Sequence, residues 1–380
     1  MKKALAITMA AVMAMGLTAC GSKGTEAPAS AAPTEATNTT QASADTGGET
    51  KAEESKTEEA KAEGGNYHII WVSCSTESEF WQYQEIGMKN AVKDMQDKYG
   101  ITINFETVGP ANESETESYI RAFENAIASK PQAIISATQV PDATIAVSKE
   151  ATDQGIVVNF TNCGLEIYGS HEHDDVYNQF YTTISADIGE LAGQILLERL
   201  EAAGIEPKGV VGMHFSNINE ALQPRMDNLK SYLAEHAPEI EVLDTLYHAN
   251  DLAAAQGNVE NQISTYGSKL IGLYGANNIS GDGIALAIQN AGIGDKVVAI
   301  GVDSDALEIE ALEEGNLDVI IVQEAYGQGY AALKNAVETL VEGSNPETEK
   351  HVLLDPVAIT SENMKEDKYA ALLDPTILAK

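Results

Sequence analysis

Apolar runs alternate along residues 66–380 with stretches that carry an apolar residue at every third or fourth position. The runs predict buried strands and the periodic stretches predict helices, because a helix turns once in about 3.6 residues. Nine strands are expected in two sets, the first at 67–73, 101–105, 133–136 and 156–160, and the second at 209–215, 240–246, 270–274, 297–302 and 319–322. Helices are expected between them at 80–99, 119–128, 143–154, 187–203, 220–235, 251–266, 282–291, 305–314 and 325–342.

This alternation predicts the fold class. Strands joined by crossover helices form parallel sheets whose two faces are covered by helices. A single open sheet of nine strands is uncommon, since most sheets have about four to six. The pattern therefore predicts an α/β protein with two doubly wound parallel-sheet lobes. Ligands bind at the carboxyl ends of the strands in such sheets, so the residues that follow each strand are candidate ligand contacts.

The first twenty residues predict an export signal. Lys2 and Lys3 are followed by an apolar run at 4–15 that is too short to span a bilayer. A small residue then precedes Cys20, which resembles the bacterial lipobox. That resemblance implies that residues 1–19 are a lipoprotein signal peptide, and that a lipid on Cys20 anchors the protein outside the cytoplasm. The alternative is an ordinary secretory signal in which the cysteine falls by chance.

Residues 20–65 predict a disordered tether, since they are rich in Ala, Ser, Thr, Glu and Lys and have almost no large apolar side chain. The whole chain has 58 acidic and 23 basic residues and a formal net charge of −35. Most of this excess lies in residues 66–380, as a solvated acidic surface. We expect no nucleic-acid partner, because phosphate binding requires clustered Lys and Arg.

The cysteines and histidines add little catalytic or metal-binding chemistry. Cys74 and Cys163 follow the first and fourth strands with another strand expected between them, a separation of about 10 Å, so we expect free thiols. Residues 171–175 read His-Glu-His-Asp-Asp and are capable of metal binding, but we interpret them as a solvated loop. We recognise no nucleophile elbow or phosphate loop. The chain is therefore not expected to be an enzyme or to need a metal or cofactor.

Motifs at the strand ends resemble the type I periplasmic binding proteins, in particular the group that includes the ribose- and galactose-binding proteins. In chain order they are the aromatic pair Phe80-Trp81 at the start of the first helix, Arg225 at a helix start, the pair Asn277-Asn278, Asp303 in a Gly-x-Asp motif, and Gln323 after the next strand. None of these motifs is specific alone, but their order holds from about residue 66 to residue 380. The resemblance therefore covers essentially all of the expected folded part.

The resemblance implies two lobes that close like a hinge on a ligand. Three crossings are expected near 184–186, 323–324 and 356–358. The first lobe is expected to comprise 66–185 with 324–356, and the second 186–323 with 357–380. A monomeric lipoprotein of this family would capture a small polar ligand, above all a sugar, for an ABC permease. The alternatives are a ligand sensor for a two-component or chemotaxis receptor, and an extracytoplasmic enzyme on the same fold.

The resemblance and the strand-end positions together predict a ligand site. The expected ligand contacts are Phe80, Trp81, Gln139, Asn162, Arg225, Asn277, Asn278, Asp303 and Gln323. Aromatic faces cover the apolar face of a sugar ring, and carboxylates, amides and a guanidinium bond its hydroxyls. Where ribose-type members carry an acidic residue and an arginine, this chain has Asn162-Cys163, and an expected second-lobe aromatic is replaced near Asn250. The ligand therefore remains open: another sugar, a sugar acid or alcohol, a glycoside, or a polar molecule that is not a sugar.

Overall fold

Two helix-covered sheets make up the part of the chain that the computed structural model describes, residues 65–166, 168–217 and 222–380. The expected signal peptide, the lipidated Cys20 and the tether lie outside these residues. The strands are β1 (Asn66–Val72), β2 (Thr102–Val108), β3 (Ala133–Ser136), β4 (Val157–Thr161), β5 (Gln179–Thr182), β6 (Gly209–Phe215), β7 (Ile240–Val242), β8 (Leu246–Tyr247), β9 (Leu270–Gly275), β10 (Val298–Val302), β11 (Val319–Val322), β12 (His351–Leu353) and β13 (Val357–Thr360). The helices are α1 (Glu79–Tyr99), α2 (Thr116–Ala128), α3 (Pro141–Asp153), α4 (Ser185–Ala203), α5 (Pro224–His236), α6 (Leu252–Tyr266), α7 (Asn278–Ala291), α8 (Ala306–Glu314), α9 (Ala325–Glu342) and α10 (Asp367–Leu373).

The strand order confirms the predicted fold class. The first sheet has the order β12-β5-β4-β3-β1-β2 and is parallel throughout. The second has the order β13-β11-β10-β9-β6-β7, with β8 beside β6, and only β13 runs antiparallel. Because β3 lies between β1 and β4, Cys74 and Cys163 are separated, and both are buried free thiols as expected.

Three strands were missing from the sequence prediction. They are β5, β12 and β13, and each has only three or four residues and contains polar ones such as Gln179, His351 and Thr360. Such short segments become strands only when a neighbouring strand supplies hydrogen bonds, so their own pattern does not reveal them. The expected strand at 240–246 is also two short strands, and α7 begins at Asn278 rather than at residue 282.

Several strands of each sheet are buried on both faces. Every residue of β3, β5, β10 and β11 is buried, as expected where helices cover both sides of a parallel sheet. Trp71 has no exposed surface and lies inside β1, as a core residue. Among the described helices, none combines the length and the apolar character needed to cross a membrane.

Glycines allow two pairs of helices to approach closely. A Cβ on Gly87 of α1 would lie 2.1 Å from the carbonyl oxygen of Tyr326, and one on Gly329 of α9 would lie 2.1 Å from that of Gln84. In the second lobe, a Cβ on Gly189 of α4 would lie 2.3 Å from the carbonyl oxygen of Arg225. Helix α5 can therefore carry Arg225 close to α4 only because position 189 has no side chain.

The last residues of the chain contact elements of both sheets. Strand β13 belongs to the second sheet, and the carbonyl oxygen of Leu373 in α10 accepts a hydrogen bond from Ser304. The segment after it lies against α1, where Asn90 donates to the Leu378 carbonyl at 2.8 Å and Lys380 pairs with Asp94 at 2.7 Å. The segment expected to belong to the second lobe thus also reaches an element of the first sheet.

We predict that Gly329→Ala lowers the free energy of unfolding by about 1–3 kcal/mol, because the new methyl group forces α9 away from α1. The matched control is Gly257→Ala in α6, where an added Cβ meets no atom within 4 Å. That control should be stabilising by up to about 1 kcal/mol, since alanine is the better helix former. Urea denaturation of both variants checks this, and equal effects at the two positions would contradict the close-approach argument.

Candidate functional site

A buried cavity lies where the carboxyl ends of the two sheets face each other. Eight of the nine predicted ligand residues line it: Phe80, Trp81, Gln139, Asn162, Arg225, Asn277, Asn278 and Asp303. The ninth, Gln323, contacts three of these residues through its side chain. The structure therefore brings the whole predicted set together, as the strand-end argument requires.

Gln323 joins the two halves of the site. It follows β11, at the crossing into α9, and its side chain is buried. Its Oε1 accepts from Asn162 Nδ2 of the first lobe at 3.1 Å and from Arg225 Nη2 of the second at 2.7 Å. Its Nε2 donates to a carboxylate oxygen of Asp303. Its backbone carbonyl accepts from Gln328 at 2.7 Å and from Thr183 at 3.2 Å, which holds the residue at the crossing.

Arg225 brings a buried positive charge to the site. It lies in the first turn of α5 and is 2 % exposed. One guanidinium nitrogen donates to the Ala276 carbonyl at 2.8 Å and another to Gln323, but the buried Nε–H has no hydrogen-bond partner among the described residues. A buried donor without an acceptor costs about 1–3 kcal/mol, so this group favours an acceptor supplied by a ligand.

The first-lobe wall consists of an aromatic pair and an acid that the sequence prediction missed. Phe80 and Trp81 are buried at the start of α1, with ring centroids 4.9 Å apart and edge to face. The indole Nε1–H of Trp81 donates to Glu113 Oε1 at 2.5 Å. Glu113 lies in the loop between β2 and α2, and its other oxygen accepts from Asn250 Nδ2 at 3.0 Å. Since Asn250 lies between β8 and α6, this pair connects the two lobes across the cavity.

Asn277 and Asn278 shape the second-lobe wall at the start of α7. Asn277 is the N-cap, and its side-chain oxygen accepts from the Ser280 amide at 3.3 Å, while its Nδ2 donates to Asn250 at 3.4 Å. Asn278 donates to Asp305 at 3.1 Å. Both asparagines therefore have a structural role in the second lobe besides their place at the cavity.

The backbone is left-handed at several points around the site. Asn162, Asn250 and Asp303 have φ of 54°, 57° and 79°, and Glu324, directly after Gln323, has φ of 54°. This conformation costs about 1–2 kcal/mol for a residue with a side chain, although Asn and Asp adopt it more readily than most. It turns the chain sharply directly after β4 and β10, where Asn162 and Asp303 themselves line the cavity.

Burial makes the carboxyl groups at the cavity harder to ionise. It raises the pKa of Asp303 to about 6, although Arg225 and Gln323 act in the opposite direction. Burial also raises the pKa of Glu113, against the hydrogen bonds from Trp81 and Asn250. The space open to a water centre is only about 20 Å³, roughly room for one water. The side chains of the site are hydrogen bonded to one another and leave no room for a sugar ring. A ligand of that size can therefore enter only if the lobes separate.

A second group of buried acids lies behind the asparagine pair. Burial raises the pKa of Asp282 to about 9, and the neighbouring Asp305 acts in the same direction. Burial likewise raises the pKa of Glu308, which is fully buried in α8 and has no hydrogen bond from any described residue to either carboxyl oxygen. At neutral pH the Asp282 carboxyl is therefore protonated in the folded protein.

Five residues near the cavity were missed by the sequence prediction: Glu113, Phe215, Ser216, Asn250 and Leu222. Four of them line the cavity, and Asn250 bonds Glu113 and Asn277 at its edge. Glu113 follows β2, and Phe215 with Ser216 ends β6, so the rule of inspecting every strand end would have found them. Asn250 was noted only as a departure from the family pattern. The loop at 171–175 does not line this cavity.

Comparison with known proteins gives a family match and several solved structures with a similar fold. Residues 69–344 match the model of a family described as "Periplasmic binding protein domain". No curated protein sequence matches the chain. Among solved structures, a carbohydrate transporter solute-binding protein from Agrobacterium radiobacter, in complex with D-arabinose, has a TM-score of 0.70 at 23% identity and covers 83% of this chain and 100% of its own.

Two further structures carry different ligands on a similar fold. An ABC transporter solute-binding protein from Agrobacterium vitis with bound D-fucose has a TM-score of 0.70 at 24% identity and covers 81% of this chain and 100% of its own. One from Bacillus halodurans C-125 with bound myo-inositol has a TM-score of 0.65 at 22% identity and covers 81% of this chain and 99% of its own. At these identities the likeness shows the fold.

We predict that the free energy of unfolding falls as the pH rises from about 4 to about 9. Asp282 holds its proton in the folded chain up to a pKa of about 9 but loses it near 3.8 when unfolded. The folded state therefore binds more protons across this window, and stability declines by up to about 1.4 kcal/mol per pH unit for each such group. Asp282→Asn, which cannot ionise, should flatten the pH dependence measured by urea denaturation.

The control for this prediction is Asp295→Asn, which makes the same substitution at an exposed position. It should leave the pH dependence of the wild type nearly unchanged. If Asp282→Asn keeps the full wild-type slope, the Asp282 carboxyl is ionised in the folded protein and the assignment is wrong.

Proposed function

We propose, from the premise that this chain belongs to the periplasmic binding protein domain family, that it captures a small sugar or related polyol between its two lobes for an ABC permease. The observation that carries this proposal is the composition of the buried cavity. It combines one guanidinium, two carboxyl groups, several amides and an aromatic pair. These are the groups that bond hydroxyls and cover the apolar face of a ring.

A polyol suits this site because a hydroxyl both donates and accepts hydrogen bonds. In the structure the polar groups satisfy one another, as when Asp303 accepts from Gln323 and Glu113 accepts from Trp81. A hydroxyl can replace such a partner without leaving a buried group unpaired, and it can also supply the acceptor that Arg225 Nε lacks. A ligand that lacks a hydroxyl at these positions leaves buried polar groups unpaired and is rejected strongly.

Capture proceeds by separation and closure of the lobes. The lobes contact each other through the Gln323 side chain and through the Glu113–Asn250 hydrogen bond, and the cavity between them has room for about one water. The ligand enters when these contacts open and becomes enclosed when they reform around it. We expect the backbone to bend at the three predicted crossings near 184–186, 323–324 and 356–358.

The ligands in similar structures support a polyol. Those structures contain D-arabinose, D-fucose and myo-inositol, which share a ring and several hydroxyls. The cavity of this chain offers polar groups that can bond several hydroxyls, among them Glu113 from the β2–α2 loop. We therefore propose that this chain binds a polyol of this kind, without choosing any single one of these three ligands.

The remaining parts of the proposal concern location and the lack of catalysis. We propose that the chain is exported and anchored by a lipid on Cys20, that it acts as a monomer, and that it binds without chemical change to the ligand. The thiol nearest the cavity is unsuited to nucleophilic catalysis, since burial raises the pKa of Cys163 to about 12. This supports a binding role for the site.

We predict that a panel of neutral sugars, inositols, sugar acids, amino acids and nucleosides contains a polyol that raises the thermal midpoint. A ligand at one hundred times its dissociation constant adds about 2.7 kcal/mol of stability. Asp303→Asn should weaken that ligand by about 10- to 100-fold in titration calorimetry, because a hydrogen bond to a charged group contributes about 1.5–3 kcal/mol. The control Asp244→Asn, on an exposed residue, should bind as the wild type does.

A response confined to amino acids or nucleosides would contradict the polyol proposal while leaving the binding fold intact. Wild-type affinity in Asp303→Asn would contradict the placement of the ligand at this cavity.

We predict that Glu113→Ala weakens the same ligand by about tenfold or more without unfolding the protein. The variant loses affinity for two reasons. It removes a carboxyl group that bonds the ligand, and it removes the Glu113–Asn250 hydrogen bond that holds the lobes together. Asn250→Ala removes only the second source, so calorimetry on both variants separates them. Equal affinities for Glu113→Ala and the wild type would show that the β2–α2 loop takes no part in binding.

A further inference from the structure

We propose that His171, Asp174 and His351, closed by Glu166, form a binding site for zinc(II) or a similar divalent transition cation. This site is separate from the interlobe cavity and does not depend on the proposed function. Two of its residues lie in the polar loop at 171–175. His351 lies in β12, about 180 residues further along the chain. The sequence alone favoured a solvated loop because nothing in the pattern connects His351 with that loop.

The positions of the donor atoms carry the proposal. One ligand atom from each of His171, Asp174 and His351 lies within 4.8 Å of the others. His171 Nδ1 is 3.1 Å from Asp174 Oδ2, and His351 Nε2 is 3.7 Å from Asp174 Oδ1 and 3.8 Å from Glu166 Oε1. Donors around a tetrahedral zinc, at about 2.0–2.1 Å from the metal, are themselves roughly 3.4 Å apart. The spacing of each pair therefore differs from the tetrahedral value by only a few tenths of an ångström.

The site has a fixed inner half and an accessible outer half. The side chains of His351 and Glu166 are 2 % and 4 % exposed, whereas those of His171 and Asp174 are 53 % and 37 % exposed. Glu166 is held by the amides of Glu172 and His173 at 2.6 and 3.2 Å. A cation can thus reach the buried ligands from solvent through the exposed pair.

Binding requires two local changes. The rings of His171 and His351 are stacked, with centroids 4.5 Å apart and planes 16° apart, so the exposed His171 ring must turn to aim its nitrogen at the same ion. The ion must also displace the Tyr177 hydroxyl, which lies among the proposed ligands, 2.7 Å from His351 Nε2, 2.9 Å from Asp174 Oδ1 and 3.0 Å from Glu166 Oε1. The imidazole of His351 then carries its proton on Nδ1, at the cost of a 3.4 Å contact from the Gly169 amide.

The donor set selects the class of cation. Two imidazoles with one or two carboxylates suit zinc and the neighbouring transition metals, which accept nitrogen and oxygen ligands in a tetrahedral arrangement. Calcium and magnesium prefer six or more oxygen ligands, which this group does not supply. We therefore expect zinc(II) to bind and calcium(II) not to compete.

The test is titration calorimetry of the full chain, carrying no histidine tag, with zinc chloride after dialysis against EDTA. We expect one zinc per chain with a dissociation constant in the micromolar range or below. His171→Ala should weaken binding at least tenfold, and since His171 is exposed this variant should fold normally. His351→Gln should do the same, with circular dichroism confirming its fold.

Matched controls come from the same loop and from the ligand cavity. His173→Ala and Asp175→Asn remove a neighbouring histidine and acid that the structure keeps out of the site, so both should bind zinc within about threefold of the wild type. Asp303→Asn should bind zinc normally even if it loses a sugar. The proposal is overturned if the wild type binds no zinc at about 100 µM zinc, where a site with a micromolar dissociation constant is almost fully occupied. An equal loss from His173→Ala and His171→Ala would also overturn it.

Discussion

The side chain of Gln323 is the interaction on which the site depends. It bonds a residue of the first lobe, Asn162, and two of the second, Arg225 and Asp303. An amide can do this because it donates and accepts at once, whereas a carboxylate in its place would repel Asp303. The backbone of Gln323 is itself fixed at a crossing between the lobes. Gln323 therefore holds the cavity residues in place and also lies where the hinge is expected to bend.

Much of the fold and of the site could be predicted from the sequence. Continuous apolar runs such as β1 and β3 are typical of strands buried on both faces, and the periodicity of α1 and α9 predicted their bounds to within a residue. Parallel topology then places the residues that follow each strand at one edge, which is why Asn162 and Asp303 meet although they are distant in the sequence.

What could not be predicted depends on contacts that no local pattern encodes. Strands β5, β12 and β13 are short and partly polar, and they form because a neighbouring strand completes their hydrogen bonds. Glu113 lies in the loop after β2, where the strand-end rule places candidate ligand residues, but its contacts with Trp81 and Asn250 depend on how the folded elements pack together. His351 is similar: its approach to the loop at 171–175 follows from β12 pairing with β5, which the sequence does not reveal.

If the two lobes close on a polyol, the distance between them shortens on binding. The most direct test is a distance measurement by pulsed electron paramagnetic resonance, with spin labels on Glu117→Cys and Ala253→Cys and with Cys20→Ser. These exposed positions at the starts of α2 and α6 flank the Glu113–Asn250 contact, and the native thiols at 74 and 163 are buried. We predict that a saturating polyol from the thermal screen converts a broad distribution into a single shorter distance. An unchanged distribution, with the polyol bound, would contradict closure.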